Sequence, residues 1–186
     1  MEPEIIELTE ESLKGTLKNV LKNLYDNQNF LISSRIISKQ KIKRKKREYL
    51  NKNFIEYVSE RSIAAWFFHY LVLEIGNKKL KGKDIVESNY DIDFEYNRNE
   101  FDIKKLNDKN IIPDLIIHKR GKDKNIVCIE FKGWWAKKKD INSDRERVQR
   151  LVNSRIFNYK YGVCIVFKKD FKSCFEGMYI YTKQKN

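Results

Sequence analysis

The sequence predicts an α/β fold, a mixed central sheet flanked by helices, because helical and alternating hydrophobic periods succeed one another along it without forming βαβ repeats. Three observations carry this expectation. Ile63, Ala64, Phe67 and Leu71 recur at helical spacing within a long, largely buried helix over 53–75. Residues 90–98, 115–118 and 126–131 read as strands, the last two joined by a polar turn at 119–125. Val148, Leu151, Val152 and Ile156 mark a second helix over 142–159, followed by an apolar strand over 162–167. The order is helix, strand, strand, strand, helix, strand, and a last strand over 178–182 flanks the sheet.

Ahead of this core, Leu13, Leu17, Val20, Leu21 and Leu24 define an amphipathic helix over 9–26 with Thr9 placed to cap it. It leads towards the densest basic segment, residues 39–47, which holds seven cations in nine positions, Lys41, Lys43, Arg44, Lys45, Lys46 and Arg47 among them. Such a run is either a grip on phosphate or a solvated face or linker, since like charges repel unless water or an anion answers them. Residues 1–51 are therefore read as an N-terminal helical and basic extension, and 52–186 as the core.

Composition narrows the function. A chain of 186 residues with 41% hydrophobic content can bury one substantial core. The longest apolar run, 63–75, is too short for a bilayer and is broken by His69 and Glu74, so no membrane partner is expected. The acidic start Met1-Glu2-Pro3-Glu4 lacks the layout of a signal peptide, so a cytoplasmic location is expected. Cys128, Cys164 and Cys174 form no C-x-x-C pair and are expected as reduced core residues. Two histidines exclude a histidine-rich metal site and leave oxygen ligands, which suit magnesium or manganese. The excess of 39 Lys and Arg over 26 Asp and Glu, a net charge of +13, makes nucleic acid the default partner, beside the plainer alternative of a lysine-rich bias.

Glu130 and Lys132, two apart on a strand, point to the same side, while Val127, Ile129 and Phe131 point to the other. A turn centred on Lys122 sets Asp114 opposite Glu130. Two carboxylates so placed raise one another's pKa unless a divalent cation lies between them. Asp114, Glu130 and the Phe131 carbonyl then supply part of a magnesium shell, with substrate phosphate completing it. Lys132 would orient water or stabilise the transition state. Glu60 shares the face of Ile63 and Phe67, either as a further ligand or as an acidic residue favoured by the helix dipole.

Pro113-Asp114, then fifteen residues, then Glu130-Phe131-Lys132, on adjacent strands after a helix that carries Glu60, resembles the PD-(D/E)XK nuclease superfamily across about residues 52–168. Glu95-Tyr96-Asn97-Arg98 and His118-Lys119-Arg120-Gly121 are similar to a small, largely uncharacterised subgroup of it, as is the D-x-x-R pattern of Asp144 and Arg147. The resemblance implies a restriction-endonuclease-like core and magnesium- or manganese-dependent hydrolysis of phosphodiester bonds, most naturally in DNA. Asp114, Glu130, Lys132 and Glu60 would be the catalytic residues, and Arg98, Arg120 and Arg147 further contacts to nucleic acid. A non-catalytic DNA-binding module that keeps the same fold is the alternative, and a homodimer stays open. Capping is the simpler reading of Asp144, strand capping of His118, packing of Trp134 and Trp135, and a core or boundary place of His69.

Overall fold

A computed structural model of the chain describes residues 4–33, 36–38, 54–56, 59–76, 78–82, 85–95, 98–99, 102–103, 105–106, 109–110, 112–120, 122 and 124–183. At its centre is a five-stranded mixed sheet of β1 (Asp91–Phe94), β2 (Leu115–Lys119), β3 (Lys124–Gly133), β4 (Tyr161–Phe167) and β5 (Tyr179–Thr182), in the order β5-β4-β3-β2-β1. Only β3 and β4 run parallel. The crossover between them is α3 (Lys138–Asn153), as a parallel neighbour requires.

The opposite face is covered by α1 (Glu10–Ser33) and α2 (Glu60–Ile75), and α4 (Phe171–Glu176) follows β4. Residues 5–7, 79–82 and 85–88 form a second, three-stranded sheet. The α/β architecture with a mixed sheet is therefore as expected. Among the described residues, no helix is long and apolar enough to cross a membrane.

Strand alternation divides the core in two. Ile117, Val127, Ile129, Phe131, Val163 and Ile165 face α1 and α2, in one cluster with Leu17, Leu21, Ile63 and Phe67. Ile116 and Cys128 face α3 and pack with Val148, Leu151, Val152, Phe157 and Tyr159. Burial on both faces explains why β3 reads as a nearly continuous apolar run. α1 belongs to the same core as the sheet, although it precedes the region of resemblance. Thr9 caps it as expected, accepting from the Ser12 N–H at 3.1 Å while the Ser12 hydroxyl accepts from the Thr9 N–H at 2.8 Å. All three cysteines are buried.

Several boundaries differ from the sequence reading. The helix expected from residue 53 begins at Glu60, because Phe54–Glu56 pairs antiparallel with Ile36–Ser38. It is also less buried than its composition suggests, with Leu73 68% exposed. The strand expected over 90–98 stops at Phe94, where Glu95 takes a φ of 52° and turns the chain. The second helix occupies 138–153 rather than 142–159, so Ile156 falls beyond its end and is 63% exposed, while Phe157 takes the buried place. α3 lies tightly on β4: a Cβ at Gly162 would meet Val152 Cγ2 at 2.9 Å.

The Phe131 ring is stacked on Phe167, with centroids 5.3 Å apart, and meets Phe67 of α2 edge-on at 5.0 Å. Phe67→Ala should therefore cost about 3–5 kcal/mol, read as a lower urea midpoint with an unchanged slope.

Candidate active site

The β2–β3 hairpin has the expected register where it matters. Leu115 pairs with Ile129, Ile116 with Cys128 and Ile117 with Val127, which sets Asp114 beside Glu130; the slip between Ile117 and His118 lies on the turn side. The Asp114 carbonyl accepts from the Glu95 N–H at 2.9 Å, and its carboxylate Oδ2 accepts from the Phe131 N–H at 2.7 Å. Asp114 is thus fixed by backbone at both ends.

Glu130 and Lys132 emerge on the side of β3 that faces α3, as alternation dictates. Glu130 is fully buried; Oε2 accepts from Arg147 at 2.7 Å, and Oε1 has no hydrogen-bond partner among the described residues. Arg147 also donates to Asp144 Oδ1 at 2.5 Å. Asp144 in turn lies 2.7 Å from the Lys132 ammonium. Lys132 donates to the Phe131 carbonyl at 3.1 Å and stands 3.5 Å from Glu60 Oε1. The other oxygen of Glu60 accepts from the Gly133 N–H at 2.7 Å. Trp135 covers that glycine so closely that a Cβ there would lie 2.4 Å from its ring.

The four sequence candidates therefore come together, and two α3 residues join them. Capping does not describe Asp144, which is buried between Lys132 and Arg147. The signal for it was present in the sequence: Asp144 precedes Val148, Leu151 and Val152 by four, seven and eight residues, the spacing of one buried helical stripe.

Asp114, Glu130, Asp144 and Glu60 outnumber Lys132 and Arg147. Burial, above all, pushes both Asp114 and Glu130 upward from the usual carboxylate range, Glu130 far upward with the Asp114 charge as its next cause. Burial alone would lower Lys132, but its bond to Asp144 and the surrounding carboxylates outweigh that and keep it protonated. Among the described residues, no three acidic, histidine or cysteine side chains already enclose a common point. Magnesium is commonly held through one or two carboxylates, water and substrate phosphate instead. Asp114 and Glu130, with the unanswered Oε1 and the Phe131 carbonyl beside them, fit that mode of binding.

The other candidates are dispersed. Lys41, Lys43, Arg44, Lys45, Lys46 and Arg47 lie outside the described residues, as does the side chain of Arg98. Arg120 bonds to Asp93 through both Nε, at 2.9 Å, and its terminal nitrogen. His118 is buried and lies 2.7 Å from the same Asp93, so it ties β2 to β1 rather than facing Asp114's partners. Trp134 packs as expected, donating to the Ile32 carbonyl at 3.1 Å. His69 is exposed, against Trp66 and Tyr70, and not in the core. Comparison with family models, with curated proteins and with solved structures gave no match.

Because Glu130 holds its proton more tightly when folded than when unfolded, its contribution to stability is lost as pH rises from the unfolded value through the higher folded value. Glu130→Gln should flatten that decline in metal-free protein, Asp114 supplying what remains, as urea unfolding between pH 4 and pH 8 would measure.

Proposed function

We propose that this chain is a divalent-metal-dependent nuclease of the PD-(D/E)XK type, hydrolysing phosphodiester bonds in DNA. The observation that carries the reading is the placement of Asp114 beside Glu130 at the site-side end of the hairpin, next to Lys132, with one buried Glu130 oxygen unanswered. Leaving aside the short strands outside the central sheet, the order α2, β1, β2, β3, α3, β4 supports it, being the helix and strand order of a restriction-endonuclease-like core.

Asp114, Glu130 and the Phe131 carbonyl would hold the ion, which supplies Lewis acidity towards the scissile phosphate. The residues of the chain do the rest. Asp144 keeps Lys132 charged and aimed, so that its ammonium orients the attacking water and meets the charge that builds on the phosphoryl oxygens. Arg147 offsets the Glu130 charge. Glu60, hung from the Gly133 N–H, limits where Lys132 can reach. In the reaction the water oxygen bonds to phosphorus, the bond to the leaving sugar oxygen breaks, and that oxygen takes up a proton.

Purified protein with magnesium or manganese should cut at least one of supercoiled, linear duplex and single-stranded DNA. Asp114→Ala and Lys132→Ala should each lower the rate by about 100-fold or more. DNA left intact under all these conditions, or variants that cut like the parent, would refute the catalytic reading. The ion pairs Lys132–Asp144 and Arg147–Glu130 favour one alternative, a DNA-binding subunit without catalysis, because they answer most of the buried charge with protein groups alone. Its signature is salt-sensitive retention of DNA with no cutting.

A further inference from the structure

The segment that leaves the site carries charge which folding does not explain. β3 ends at Gly133, and Lys137, Lys138 and Lys139 follow at the start of α3, all exposed. Cations at this end of a helix oppose its macrodipole, and Asp140 is the acidic residue of that first turn. Among the described residues, none of the three lysines forms an ion pair. Their position is specific: five residues before Lys137 is Lys132, and α3 itself delivers Asp144 and Arg147 to the site. The same connection carries Trp134, over whose ring Lys169 lies at 4.7 Å.

We infer that Lys137, Lys138 and Lys139 form the surface that carries the phosphodiester backbone of DNA past the site. This rests on the nuclease reading for its location but not for its physics: exposed cations in a row neutralise phosphates and release their counterions whether or not the strand is cut. A cluster serving solubility alone would be exchangeable with any other three exposed lysines of the chain. The stripe Lys14, Lys18 and Lys22 on α1 is a set of equal charge, at helical spacing on the other face of the sheet, with Lys14 and Lys18 lying over the Phe175 ring at 5.7 and 5.6 Å.

The test compares the full-length parent with K137Q/K138Q/K139Q and K14Q/K18Q/K22Q, which lose equal charge. Binding to a fluorescent DNA duplex is followed by anisotropy across a potassium chloride series in EDTA, and cleavage with manganese is measured in parallel. The α3 variant should reduce the slope of log K against log salt by about 2 to 3 and weaken binding at 0.1 M salt by roughly one to two orders of magnitude. The α1 variant should change the slope by less than half as much. Equal effects of the two variants, or an α3 variant that binds like the parent, would overturn the inference, and in the second case a parent that still cuts leaves the nuclease reading standing. A parent that never cuts, with the α3 slope reduced as expected, sinks the nuclease reading and keeps the surface. A parent that does not bind the duplex sinks the surface, and the nuclease reading then stands or falls on the cleavage assays alone.

Discussion

The burial of one carboxylate, Glu130, in the middle strand of the sheet constrains everything around it. A charge in that position costs several kcal/mol unless a counter-charge and hydrogen bonds meet it, and Lys132, on the same side of β3, makes no hydrogen bond to it among the described residues. The answer comes from α3. Because α3 is the crossover between the parallel strands β3 and β4, it must lie across Glu130, and Gly162 lets it approach closely enough for Arg147 to reach Oε2. Asp144, one helical turn earlier, then binds both Arg147 and Lys132. The network still leaves Glu130 Oε1 unpaired among the described residues. Arg147 Nε is unpaired there as well, so the network is not closed by its own members.

Packing on the opposite face keeps this geometry from slipping. Phe131, held between Phe67 and Phe167, locks the strand so that the residues on either side of it can point only towards α3. A slip of one residue would drive Phe131 into the polar network and Glu130 into the aromatic cluster. At the far end of the hairpin, Asp93 receives His118 and Arg120. Burial would raise its carboxyl, but those two partners hold it below the usual range. That cluster fastens β1 to β2 and thereby fixes the strand end from which Glu95 supports Asp114.

What the sequence disclosed follows the range of the forces involved. The hairpin register was legible because a short polar turn fixes it locally, and the shared face of Glu60, Ile63 and Phe67 because helical period is local too. The end of the strand at Phe94 was not, since it depends on Glu95 adopting a left-handed turn that no glycine or asparagine announces. The start of α2 was missed for a different reason: Phe54–Glu56 is claimed by a partner strand some eighteen residues away, a pairing that periodicity does not record. Asp144 was misjudged because acidic residues early in helices are usually caps. Its distance from Val148 and Val152 was the better guide, since an acid on a buried stripe needs cations, and Lys132 and Arg147 supply them.

The central claim is that Asp114 and Glu130 form an ion site which Lys132 and Arg147 flank but do not fill. A crystal structure of manganese-soaked protein, with data collected to give manganese anomalous scattering, tests it most directly. The account predicts an anomalous peak between the two carboxylates, within coordinating distance of the Phe131 carbonyl, with Glu130 Oε1 now bound. Continuous absence of a peak at manganese concentrations well above the millimolar range, with Arg147 still on Glu130 and the Phe131 N–H still on Asp114, would contradict it.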